Sequence, residues 1–173
     1  MNNIGFGDRD FNVAVYIANK PAMQEYQALD NILPLVSGEI ASINQACGNG
    51  WRKVFNVYAK VLFALDNSQF DFSKQTKTWQ EYRDKYLLQG QDKTALLFSA
   101  PQLAASNNTL HIICGKGHVK ALINSGQLIT ELAWLDEEFA IDRCNNLIVC
   151  PYFDYRQLSN IKIERLASLV KTL

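Results

Sequence analysis

Soft metal ligands are scarce in this chain of 173 residues, which holds four cysteines and two histidines. No two of Cys47, Cys114, Cys144 and Cys150 stand in C-x-x-C spacing. Structural zinc and iron–sulfur sites are built from close cysteine pairs, often completed by histidine. The sequence therefore predicts no metal and no cofactor, and its cysteines read as small buried hydrophobes in a reducing compartment. Long hydrophobic runs are missing as well. The longest, such as residues 13–18 and 147–150, fall far short of the roughly 20 residues that cross a bilayer. The opening MNNIGFGDRDF has no basic stretch followed by an apolar one, the layout of a secretory signal. No membrane partner is expected, and a cytoplasmic location is.

An excess of positive charge is also absent: 17 basic residues balance 17 acidic ones. Nucleic-acid binders usually carry a basic footprint, because neutralised phosphates supply most of their affinity. Zero net charge weighs against tight DNA binding and leaves room only for a local basic patch. No repeat, low-complexity tract or linker rich in proline, glycine and serine divides the chain, so residues 1–173 read as one domain. With 48% hydrophobic and 20% charged residues, the composition is that of a globular protein.

Four runs read as strands: 12–18 (NVAVYIA), 94–99 (TALLFS), 110–114 (LHIIC) and 146–150 (NLIVC). Each is continuously apolar, the mark of strands covered on both faces in a parallel sheet. Helical periodicity is strongest over 51–65, where Trp51, Val54, Phe55, Tyr58, Val61, Leu62 and Leu65 recur at steps of mostly three and four. The spacing predicts Phe55, Tyr58 and Leu62 buried against the sheet. Further helices are expected over 34–46, stopped by Gly48 and Gly50; from the capping box Thr78-x-x-Glu81 towards Gln89-Gly90; over 117–124; and over 158–170, with Leu158, Ile161, Leu166, Leu169 and Val170 inward. Segment 127–141 fits helix or edge strand. Strands alternating with helices predict a doubly wound α/β sandwich.

In such sheets ligands bind beyond the carboxyl ends of the strands, which directs attention to four loops. Asn19 and Lys20 can orient water or contact phosphate, or they form a turn that lets Pro21 open a helix. Ala100-Pro101-Gln102 follows the second strand. Gly115-Lys116-Gly117-His118 runs straight into a helix whose amino end can hold an anion, though it lacks the full phosphate-loop and dinucleotide patterns. Pro151-Tyr152-Phe153-Asp154-Tyr155-Arg156 gathers three aromatics and an arginine. These can stack on bases, or the aromatics fold back on the core while Arg156 pairs with Asp154. Asn19, Lys116 and Tyr152 should converge at one edge of the sheet.

Four stretches, in order, resemble the uracil-DNA glycosylase superfamily, especially its mismatch-specific branch. Residues 13–21 are similar to that family's first strand and its G-[IL]-N-P-G loop. Residues 48–54 (GNGWRKV) are similar to the N-R-F-W-K-[VL] start of its long helix, residues 112–116 (IICGK) to a strand ending in Gly-Lys, and residues 147–152 (LIVCPY) to a strand ending in His-Pro-Ser or Asn-Pro-Ser. The resemblance implies a three-layer α/β/α sandwich with a mainly parallel four-stranded sheet. It also implies excision of a flipped base by a water that Asn19 would position, with the segment from Tyr152 to Arg156 entering the duplex. DNA or a nucleobase is the implied partner. Two departures matter: Lys20 separates Asn19 from Pro21, and Cys150 and Tyr152 flank Pro151 where the family has His or Asn and Ser. The expected function is a glycosylase-like protein that binds nucleic acid or a nucleobase, with its catalysis lost or altered. The alternatives are a non-catalytic interaction domain on the same fold and a phosphate- or nucleotide-binding protein.

Overall fold

In the computed structural model, residues 2–103 and 108–173 are described. The apolar runs condense into the centre of one mixed sheet. Its strands are β1 (Gly5–Gly7), β2 (Val13–Tyr16), β3 (Ile32–Leu33), β4 (Thr94–Leu97), β5 (Leu110–Cys114), β6 (Ala133–Trp134), β7 (Ala140–Asp142) and β8 (Leu147–Cys150). They lie in the order β3-β1-β4-β2-β5-β8-β7-β6. The four strands expected from sequence are the adjacent central ones, β4-β2-β5-β8, and every pair among them is parallel.

The expected four-stranded sheet is corrected at both flanks, where it grows to eight strands and turns mixed. β1 runs antiparallel to β4, β7 antiparallel to β8, and β6 antiparallel to β7. These added strands are two or three residues long, too short for periodicity to register. β1 is Gly-Phe-Gly for a steric reason: at Gly7 (φ +122°) a Cβ would stand 2.2 Å from the Thr94 carbonyl oxygen. Segment 127–141 resolves as edge-strand structure rather than helix, with Ala133 opposite Ile141 and Trp134 opposite Ala140.

Among the described residues six α-helices accompany the sheet: α1 (Gln24–Gln27), α2 (Glu39–Cys47), α3 (Asn49–Ala64), α4 (Trp79–Lys85), α5 (Lys116–Asn124) and α6 (Asn160–Val170). Strand side chains alternate between two apolar layers. Val13, Val15, Leu96, Ile112, Cys114, Ile148 and Cys150 pack with α2, α3, α4 and α6. Ala14, Tyr16, Leu97, Ile113 and Val149 pack with Val119 and Leu122 of α5 and with Leu128.

α3 is the central helix. Phe55, Tyr58 and Leu62 are buried as expected, and the Tyr58 hydroxyl donates to the Ala95 carbonyl at 2.7 Å. That bond fastens the helix to β4 without leaving a buried hydroxyl unsatisfied. The Thr78 hydroxyl caps α4 by accepting from the Glu81 amide at 3.2 Å.

Other boundaries moved. α2 starts at Glu39 instead of Pro34, because Leu35 bridges to Gln89 and Gly38 adopts φ +90°. α4 ends at Lys85, before Gln89-Gly90, where the chain turns through Leu88 at φ +61° and buries Leu87 and Leu88. α6 starts at Asn160 and turns Ile161 outward, 79% exposed, while Ile163 takes the inward position. No described helix is long and apolar enough to cross a membrane.

Candidate functional site

The parallel strands end side by side, so the loops after β4, β2, β5 and β8 share one edge. Backbone bonds tie these ends together: Ile17 N–H donates to Leu97 O at 3.0 Å, and Gly115 N–H to Cys150 O at 2.8 Å. Gly115 sits at φ +97°, a left-handed turn that glycine adopts freely, and it delivers β5 directly into α5.

Asn19 and Tyr152, 133 positions apart in sequence, meet at this edge. Asn19 is exposed and Tyr152 half-buried. Burial pushes the Tyr152 hydroxyl above its ordinary pKa, helped by Cys114 and Asp154, while the neighbouring Asn19 side chain works in the opposite sense. The phenol thus remains protonated near neutral pH.

The rest of the last loop is anchored from beneath. Phe153 is fully buried and meets the Tyr58 ring edge-on, centroids 5.8 Å apart. It is therefore part of the core and not a wedge. Asp154 accepts the Arg156 backbone N–H at 2.9 Å, and its carboxylate lies 3.6 Å from Lys53 Nζ. Lys53 also stands over the Tyr155 ring, 4.8 Å from its centroid, a favourable cation–π placement. Asp154 thus pairs with Lys53 rather than with the Arg156 side chain; Arg156 and Tyr155 are exposed. Below the loop Cys114 and Cys150 are register neighbours, and burial raises the Cys114 thiol well above its usual value. All four cysteines are free thiols.

The first loop is strapped by α1. Lys20 Nζ donates to Gln27 O at 3.4 Å, and Gln27 Nε2 donates to Pro21 O at 2.6 Å. The helix after this loop opens at Gln24 instead of Pro21.

Lys116, the first residue of α5, donates to Glu137 at 2.9 Å and covers the Trp134 ring. Glu137 belongs to an acidic hairpin tip, Asp136-Glu137-Glu138, whose other carboxylates pair with Arg165 and Lys162. His118, half-buried in the first turn of α5, is held below its ordinary pKa by burial. Its Nε2 has no hydrogen-bond partner among the described residues. A cleft of about 500 Å³ opens at the same edge beyond β4, lined mainly by apolar groups, with Leu29, Asp30, Ser99 and Pro101 among them.

The structure therefore brings Asn19 near Tyr152 and places Lys20, Lys116, His118, Tyr155 and Arg156 around the same edge, with Lys20 and Lys116 each engaged by a partner. Lys53 was missed as a site residue. Its signal was a cation in the buried stripe of α3, at four-residue steps from Val57 and Val61. Among the described residues no group of three or more His, Cys, Asp or Glu side chains is arranged to hold a metal ion.

No curated protein and no solved structure matches the chain. A family model does, over residues 4–171, and the chain accordingly belongs to the family described as a family of unknown function (DUF6942).

Proposed function

We propose that this protein is a uracil-DNA glycosylase-like binder of nucleic acid or a nucleobase whose own base-excision chemistry is lost or greatly weakened. The observation that carries this reading is the contact between Asn19 and Tyr152 at the carboxyl edge. Asn19 stands where the resembled family positions its water, and Tyr152 replaces the small serine of the last loop. A phenol held against that amide takes up space a flipped base would need. The mainly apolar cleft beside Asp30 and Ser99 supplies room for a flat ring with a few polar groups. Cations are present at the edge, yet Glu137 and Asp154 neutralise Lys116 and Lys53, so affinity for a phosphate backbone is modest. The same Glu137 works against the phosphate-binding alternative at Gly115–His118.

The expected result with a uracil-containing mismatched duplex and excess protein, followed by alkaline strand cleavage, is no excision, or excision at least about a hundredfold below that of an intact site. One missing group that stabilises developing charge typically costs about 10²–10³ in rate. Weak duplex binding through Lys20 and Arg156 should fall steeply with added salt. Robust cleavage that vanishes in Asn19→Ala would overturn the loss of chemistry. Absence of both cleavage and salt-sensitive binding would overturn the nucleic-acid reading. It would favour the second one, a non-catalytic interaction domain. That reading draws on Ile129, Trp134 and Leu135, large apolar side chains 88%, 39% and 44% exposed along the β6 edge.

A further inference from the structure

A second cleft lies at the opposite, amino edge of the parallel strands. Asn12, immediately before β2, and Lys93, immediately before β4, line it, and its volume is about 470 Å³, ample for a small molecule. Asp92 lines it too, although the residue as a whole is only 7% exposed.

The two carboxylate oxygens of Asp92 differ. Oδ2 accepts from the buried Tyr82 hydroxyl at 2.5 Å and from the Thr94 hydroxyl at 2.8 Å. Thr94 in turn accepts the Leu88 N–H at 3.2 Å, so this side of the group is locked. Oδ1 is buried with no hydrogen-bond partner among the described residues. The Gln75 side chain interacts with the carboxylate without closing a hydrogen bond of ordinary geometry to Oδ1. Buried polar atoms are nearly always satisfied, so a carboxylate oxygen without a donor from the described residues can take one from outside the chain.

The backbone adds an independent sign. Leu88, Gln91 and Lys93 adopt φ of +61°, +69° and +62°. Three non-glycine residues in the left-handed region within six positions are strained, and such strain persists where the surrounding structure imposes it. Here the Asp8 carboxylate holds the Lys93 N–H at 3.0 Å, and Asp92 holds the hydroxyls of Tyr82 and Thr94.

We propose that this cleft binds a small primary ammonium ion, with Asp92 Oδ1 as its anchoring acceptor and the side-chain amides of Gln75 and Gln91 beside it. The chemistry selects an ammonium over its rivals. A guanidinium seeks both oxygens of a carboxylate, and Oδ2 is already doubly occupied. An anion would meet Asp71 and Asp92 in the lining and Asp8 nearby, against the single Lys93. An ammonium brings three donors and no acceptor, matching a lining rich in carboxylate and amide oxygens. The Phe70 ring, stacked on Phe72 at 6.1 Å, offers an apolar wall for the alkyl stem.

The probes are 1,4-diaminobutane and, as neutral control, 1,4-butanediol, titrated into the full-length protein by calorimetry at pH 8. Saturable binding of the diamine is expected, weakened at least about tenfold in Asp92→Asn because a charge-assisted hydrogen bond is removed. No binding of the diol is expected. Amide shifts in two-dimensional NMR of the unmutated protein should move first at Gln91, Asp92 and Lys93, a reading independent of how any variant folds. No saturable diamine binding, equal affinity in a folded Asp92→Asn, equal binding of the diol, or shifts confined to other regions would each overturn the proposal.

Discussion

Phe55→Ala is expected to lower the free energy of unfolding by about 3–5 kcal/mol. Phe55 has no exposed surface, sits at the middle of α3 and meets the Trp51 ring at 5.7 Å. The loss combines the transfer free energy of a phenyl ring with a cavity that neighbours on both sides cannot close. α3 is fixed to β4 by Tyr58 and packed against α2, α4 and α6, so little inward collapse is available. A urea titration checks this, with an unchanged dependence on denaturant as the sign of an intact fold. Ile161→Ala, at a position 79% exposed, should change stability by no more than about 0.5 kcal/mol. A Phe55→Ala cost below about 1 kcal/mol would mean that α3 does not carry the core.

Asp92→Asn is expected to reshape the dependence of stability on pH. Burial pushes the Asp92 carboxyl up to about 7 from an ordinary value of 3.8, against the hydrogen bonds from Tyr82 and Thr94, while Asp8 raises it further. Between these two values the unfolded chain has released a proton that the native state keeps, so stability falls as pH rises. At about 1.36 kcal/mol per pKa unit, this side chain removes up to about 4 kcal/mol above pH 7.

His111 acts in the opposite sense. Its ring accepts or donates in a 2.7 Å bond with the Tyr16 hydroxyl, and burial holds its pKa down to about 4 from 6.5. Between those values the unfolded chain binds a proton that the native state refuses, so stability rises with pH. In the unmutated protein these two slopes oppose each other from about pH 4 to 6.5 and largely cancel. Asn at position 92 keeps an oxygen for Tyr82 and Thr94 and removes the titration. Relative to the unmutated protein the variant should gain about 2–3 kcal/mol from pH 4.5 to 6.5, and exceed it by up to about 4 kcal/mol at pH 8. Urea titrations at pH 4.5, 5.5, 6.5 and 8 read this directly. Parallel curves for the two proteins would show that Asp92 does not titrate in this window.

The central strands β4, β2, β5 and β8, the stripe of α3 and the Thr78 cap were legible in the residues themselves. Each rests on local rules: a strand covered on both faces is continuously apolar, a buried helix face repeats every three or four residues, and a cap is set by its own side chain. The carboxyl-edge loops were legible for the same reason, since a strand's direction decides where its loop emerges. What the residues could not show was pairing across long separations. Gly5-Phe6-Gly7 becomes a strand because β4 and β3 offer ladders to it, and Ile161 faces outward because it lies off the buried stripe Ile163, Leu166, Ala167 and Val170. The contact between Asn19 and Tyr152 and the choice of Lys53 over Arg156 by Asp154 depend on how loops from distant elements settle against each other. Asp92 is the sharpest case. In the local sequence Gln91-Asp92-Lys93 it reads as a solvated turn, and only the packing of Tyr82 and Thr94 around it makes a buried carboxylate with one oxygen unsatisfied.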